Sequence, residues 1–137
     1  MKNVFLAGPM RGFAQGEARA RVLQWRQEIA ECLGESFTVR HAFRGRESHE
    51  TFPDPKGAVI RDKQDIINAD IIIVNDSFPG ASMIGTSMEI LLAFQHDKPI
   101  IAFGDAHAGD YWMDYHITLR VKTQEDACKI CKELFNE

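Results

Sequence analysis

The run Ile71-Ile72-Ile73-Val74, held between Asp70 and Asn75, constrains this chain more than any other feature. An uninterrupted β-branched run with no polar alternation belongs in a strand covered on both faces, which is the environment of a parallel sheet. Parallel strands need long crossovers between them, usually helices. The remaining sequence supplies them in order. Asn3 to Ala7 is a short apolar strand stopped by Gly8-Pro9. From Gly16 to Leu33 the residues Ala18, Val22, Trp25, Ile29 and Cys32 recur at steps of three and four, an amphipathic helix that Gly34 ends. A second strand spans Phe37 to Ala42, followed by a polar loop with Arg44, Arg46, His49 and two prolines. Ala58 to Asn68 is helical, with Val59, Ile66 and Ile67 expected to face inward.

After the central strand, a third helix is expected from Gly85 to His96, a fourth strand from Pro99 to Phe103 and a fifth from Ile117 to Val121. Thr123-Gln124-Glu125-Asp126 has the spacing of a capping box, with Asp for the commoner Glu, ahead of a last helix ending near Phe135. Alternation of strand and helix, with right-handed crossovers, predicts one α/β domain over residues 1–137: a three-layer, doubly wound, mostly parallel five-stranded sheet. The expected strand order is the flavodoxin-like 2-1-3-4-5, with a dinucleotide-binding order as the lesser choice.

Composition narrows the partners. A net charge of −4 and a pI near 5.7 leave no general basic field for a nucleic-acid polymer, so a small ligand is expected. The apolar run at the N-terminus is too brief for a signal peptide or a membrane span, and the expectation is a cytoplasmic protein with no membrane partner. Cys128 and Cys131 form a C-x-x-C inside a helical pattern, away from the helix N-terminus that makes such thiols reactive, and no second pair exists for zinc. They read as packing.

In a doubly wound sheet, ligands bind beyond the carboxyl ends of the strands where strand order reverses, here between strands one and three. That rule selects the loop Gly8-Pro9-Met10-Arg11-Gly12 and the loop from Asp76 to Ile84. The second and third helices start at the same edge and, in this order, lie side by side on one face. Asp62 and Glu89 are then expected in their early turns, converging on one cleft. A carboxylate near a helix N-terminus is kept ionised by the macrodipole, which suits a nucleophile. On spacing alone Glu89 is equally a favourable first-turn charge, and Asp62, beside Arg61, Lys63 and Asp65, equally one of a solvated face.

Three segments give these residues a context. Phe5-Leu6-Ala7-Gly8-Pro9-Met10, Arg61-Asp62 followed by Ala69-Asp70 and the apolar strand, and Gly85-Thr86-Ser87-Met88-Glu89-Ile90 together resemble the nucleoside 2-deoxyribosyltransferase family, over residues 3 to about 104. The resemblance implies a flavodoxin-like N-glycosyl enzyme of nucleotide salvage, in which Glu89 attacks the anomeric carbon and the sugar passes to another base. It implies that Asp62 contacts the leaving base and helps to protonate it, with a pKa raised by burial or by Glu89. It also implies that Gly8, Pro9 and Met10 pass their backbone close to the substrate, that Gly85 and Ser87 contribute from the third segment, and that no metal or organic cofactor is needed. A homo-oligomer, dimer or tetramer, is implied too, since segments such as Asp110-Tyr111-Trp112-Met113-Asp114 reach a neighbour's site in that family.

The chain departs from the transferase pattern at Met83, where several members carry an Asp for the sugar hydroxyls. Ser82 beside it resembles related nucleotide hydrolases, in which a hydroxyl binds a 5′-phosphate; Arg11, Arg44 and Arg46 are expected either to supply positive charge there or to stand as solvated loop residues. A nucleoside 5′-monophosphate N-glycosidase is therefore the nearest alternative. A receiver-like module using Asp76 as phosphoacceptor, and a non-catalytic nucleotide-binding module, are the alternatives from other classes. The first lacks the acidic pair after strand one that holds Mg²⁺ in such modules.

Overall fold

The computed structural model describes residues 1–10, 16–43 and 54–135, with residues 16–19 described by their backbone alone. The elements alternate along the chain as β1 (Lys2–Ala7), α1 (Gly16–Leu33), β2 (Phe37–His41), α2 (Pro55–Ile67), β3 (Ile71–Asn75), α3 (Ile84–Gln95), β4 (Ile100–Phe103), α4 (Tyr111–His116), β5 (Leu119–Val121) and α5 (Gln124–Phe135). All strand pairs are parallel, in the order β2-β1-β3-β4-β5. Val4 to Ala7 pair with Ile71 to Val74, so the switch point lies between β1 and β3. The architecture is the expected one.

Strand periodicity sorts the core into two layers. Val4, Leu6, Ile71, Ile73, Ile101 and Phe103 face α1 and α5, where Trp25, Ile29, Leu33, Cys128 and Cys131 meet them. Phe5, Ala7, Ile72, Val74, Ile100 and Ala102 face the other way, onto Ile66 and Ala69 from α2 and its end and Ile90 and Ala93 from α3. β3 is buried along its whole length. α2 and α3 thus lie on one face as neighbours, as the predicted order requires.

Several local expectations change. Cys32 is exposed and Leu33 takes the inward place on α1, while the side chain of Ala18 lies outside the described residues. Gly34 ends the helix with φ +78°, a conformation that favours glycine. α2 begins at Pro55, earlier than expected: Asp54 caps it by accepting from the Gly57 amide at 3.1 Å, and proline fits a first helical position. That frame turns Val59 and Ile67 to solvent and places Ala58, Asp65 and Ile66 inward. The segment 111–116 forms α4, an element the apolar periodicity did not show, capped by Asp110 accepting from the Met113 amide at 3.0 Å. β5 starts at Leu119, later than Ile117, because Thr118 spends its amide and its hydroxyl on the backbone of Ile100. The Thr123 hydroxyl accepts from the Asp126 amide at 3.1 Å, as a capping residue should. Cys128 and Cys131 are buried mid-helix, and burial pushes their thiols up to about 12 and about 11, which leaves them unreactive at neutral pH.

Candidate active site

At the carboxyl end of β1 the chain must turn away from the sheet, and Gly8 does so against the Trp25 ring. A Cβ at Gly8 would sit 2.8 Å from a ring carbon of Trp25, so only glycine allows this approach. The Gly8 carbonyl accepts from Nη2 of Arg26 at 3.2 Å. Arg26 is 1% exposed, gives Nη1 to the Val22 carbonyl at 2.6 Å, and holds its guanidinium 4.5 Å from the Trp25 ring centroid and 5.1 Å from that of Phe43. A buried cation stacked between two aromatic faces is favourably placed, because each ring presents its negative face. Sequence reading missed Arg26. The signal was its place on the apolar stripe Val22, Arg26, Ile29, Leu33, where a charge requires buried partners.

From the other face of the sheet come Asp62 on α2 and Glu89 on α3. Neither is in a first turn: Asp62 is past the second turn of a helix starting at Pro55, and Glu89 is in the second turn of one starting at Ile84. Asp62 does not belong to a solvated charged face. It falls on the inward stripe with Ala58, Asp65, Ile66 and Ala69, and is half-buried. The expectation that the macrodipole keeps Glu89 ionised also fails, since that field fades beyond the first turn. Burial, followed by the charge of Asp62, raises Glu89 to about 8, with the positive charge of Arg26 opposing both. Burial in turn lowers Arg26 to about 10, and Glu89 and Asp62 oppose that shift, so the guanidinium stays charged at neutral pH. Two carboxylates and one guanidinium, from three helices, are thus electrostatically coupled at the switch point, and Glu89 carries a proton at neutral pH in the free protein.

The other expected residues are placed unevenly. Gly85 lies one turn before Glu89 on the same side of α3, and a Cβ there would meet nothing within 4 Å. Met83 is buried just before α3, where its carbonyl accepts from the Ser87 amide at 2.7 Å, and Ser82 is half-buried beside it. Pro9 is buried and Met10 half-buried in the loop after Gly8. Ser87 is two residues from Glu89 and so turns to another side of the helix. It lines a separate cavity of about 360 Å³ between α3 and α4 with Met88, Leu91, Trp112, Met113 and His116, a volume that touches neither Glu89 nor Asp62. Arg11, Arg44, Arg46 and His49 lie outside the described residues. Among the described residues, no three His, Cys, Asp or Glu side chains gather as metal ligands.

Asp76, at the end of β3, is 1% exposed and acts as an anchor. One oxygen meets Nδ1 of His107 at 2.6 Å; the other accepts from the His107 amide at 3.0 Å and from Arg120 at 2.8 Å. Arg120 also donates to the Gly104 carbonyl and to Asp114. Gly104, at φ +94°, passes so close to the Asp76 carbonyl that a Cβ would overlap it. With both oxygens engaged out of solvent, Asp76 ties the β4–α4 loop to the sheet and is not presented as a phosphoacceptor.

The sequence matches no family model and no curated protein. Solved structures do match the fold. A 2-deoxyribosyltransferase from Bacillus psychrosaccharolyticus superposes with a TM-score of 0.70 at 18% identity, covering 91% of this chain and 89% of that one. The CMP N-glycosidase of Clostridium botulinum gives 0.64 at 17%, covering 98% and 100%. A conserved protein of Enterococcus faecalis V583 gives 0.69 at 14%, covering 98% and 99%. The chain therefore shares, over nearly its whole length, the flavodoxin-like fold of these proteins, two of which are named for nucleoside or nucleotide chemistry. No helix among the described residues is long and apolar enough to cross a membrane.

Proposed function

We propose that this protein is a cytoplasmic, single-domain enzyme that cleaves the N-glycosidic bond of a nucleoside or nucleotide through Glu89 and passes the sugar to a second base. The observation that carries the reading is the coupled Glu89–Asp62 pair at the switch-point edge, balanced by a buried guanidinium. In a coupled pair of carboxyls one member can serve as nucleophile and the other as acid. The proton held on Glu89 passes to Asp62, and the freed Glu89 oxygen forms a bond to the anomeric carbon as the carbon–nitrogen bond breaks. The bonding electrons leave with the base nitrogen, which takes the proton of the pair through Asp62. A second base then displaces the carboxylate from the anomeric carbon and returns its proton to the pair. The open space at Gly85 and the backbone of Gly8, Pro9 and Met10 border the same edge.

A second reading, hydrolysis of a 5′-monophosphate with water as acceptor, has a specific observation in its favour. Met83 is buried and apolar where a sugar-binding carboxylate would stand, and Ser82 beside it offers a hydroxyl. The early amides of α3 would add donors to a phosphate site. The likeness to a CMP N-glycosidase fits this alternative, as the likeness to a transferase fits the first.

The proposal includes a homo-oligomer. The outer sides of α3 and α4 expose Ile84, Met88, Leu91, Tyr111, Trp112 and Tyr115, and α3 carries no charge besides Glu89, an apolar face of the kind that marks an interaction site. The activity is tested by incubating the protein with a panel of nucleosides and their 5′-monophosphates, with and without a free base. Exchanged base supports transfer, and released base without exchange supports hydrolysis. Intact substrates throughout would refute both.

A further inference from the structure

Arg26 is 1% exposed, and the chemistry above does not consume its charge. Its guanidinium is fixed from below by the Val22 carbonyl, from above by the Gly8 carbonyl, and on its faces by Trp25 and Phe43. Burying a guanidinium this completely costs free energy unless its charge is matched. The two carbonyls are dipoles, not charges, and the charges that couple to it are Glu89 from α3 and Asp62 from α2. Among the described residues, Arg61 on α2 is a further cation and donates to the Ala42 carbonyl at 3.0 Å. Asp65 lies about one turn further along α2, and Asp110 and His116 lie across α3 at the separate cavity.

We propose that Arg26 is a positioning residue for this site: a fixed cation under the switch-point loop that holds the Gly8 carbonyl in place and sets the charge that Glu89 and Asp62 face. With two ionised carboxylates the group of three would carry net charge −1, and with one proton it is neutral. Neutrality is the low-energy state for groups withdrawn from water. The same state is the one in which nucleophile and acid coexist. The inference rests on reading Glu89 and Asp62 as the reacting pair, but its test needs no substrate.

The side-chain carboxyl of Glu89 is followed by carbon-13 NMR across pH, with Glu89→Gln assigning the signal, in the wild type, Arg26→Met and Arg26→Lys. Loss of the cation in Arg26→Met is expected to raise the Glu89 titration by about one unit or more, and Arg26→Lys is expected to restore most of that shift. A residue of purely structural importance would lower the melting temperature of both variants and leave the titration unchanged, and that outcome would overturn the proposal. Should Arg26→Met fail to fold, Arg26→Gln and Arg26→Lys make the same comparison, and equal titration in the two would be the overturning result. Absence of base release in the substrate panel, with the titration shift present, would refute the glycosidase reading and not the electrostatic role of Arg26.

Discussion

Glu89 is the proposed nucleophile, and its protonation makes two outcomes calculable in sign. Its folded pKa, about 8, lies above its ordinary value of 4.5, so the native state binds the proton more tightly than the unfolded chain does. The stability this contributes is full below about 4.5 and is lost as pH rises to about 8. The melting temperature of the wild type is expected to fall over that window. Glu89→Gln should flatten the fall and melt higher than wild type at pH 8, and a wild-type curve that rises from pH 5 to 8 with no difference in the variant would contradict the assignment. In catalysis the same substitution removes the nucleophile, so base release should drop by about a thousandfold or more with the fold intact. The roles of Glu89 and Asp62 came only from the resemblance, but that the two share one edge was legible from helix and strand order. Arg26 was not, since its partners come from a carbonyl at the end of β1 and from two other helices. The same holds for the raised pKa of Glu89, which depends on the depth of the cleft.

Among the elements, β1, β3, β4 and α5 were legible because their apolar runs are uniform or strictly periodic. α4 was hidden because its six residues expose both faces and its start is set by Asp110, a single cap. The frame of α2 was misjudged for a related reason: Asp54-Pro55 reads as loop by composition but acts as cap and first residue. The Asp76 anchor was equally invisible, since His107 and Arg120 meet it from distant parts of the chain. Replacing Asp76 by Ala should destabilise the protein by about 3 kcal/mol or more, because Arg120 loses its buried partner, and chemical denaturation measures this. A loss within about 0.5 kcal/mol, typical of surface positions, would show that the network is not structural. For α5, exchanging Cys128 and Cys131 for Ala is expected to leave the rate of base release within about twofold while lowering stability by a cavity-sized amount. A collapse of the rate, or stoichiometric zinc in the protein, would reverse the reading of these thiols as packing.

At the scale of the whole molecule, the fold sets α2 and α3 side by side on a parallel sheet and, among the described residues, leaves an apolar face exposed on α3 and α4. If that face joins copies of the chain, sedimentation should give an integral multiple of 15.5 kDa, and Met88→Lys combined with Trp112→Glu should return the monomer mass. A wild type that sediments as a monomer at micromolar concentration would refute the oligomer. The central claim, that Glu89 itself receives the sugar, is tested most directly by trapping. A 2′-fluoro-2′-deoxy analogue of the best substrate slows the return step, and intact mass followed by peptide mapping locates the sugar. The account predicts one fluorosugar per chain, on the peptide of α3 and on Glu89. An adduct on any other residue, or base released from the analogue by Glu89→Gln at the wild-type rate, would contradict it.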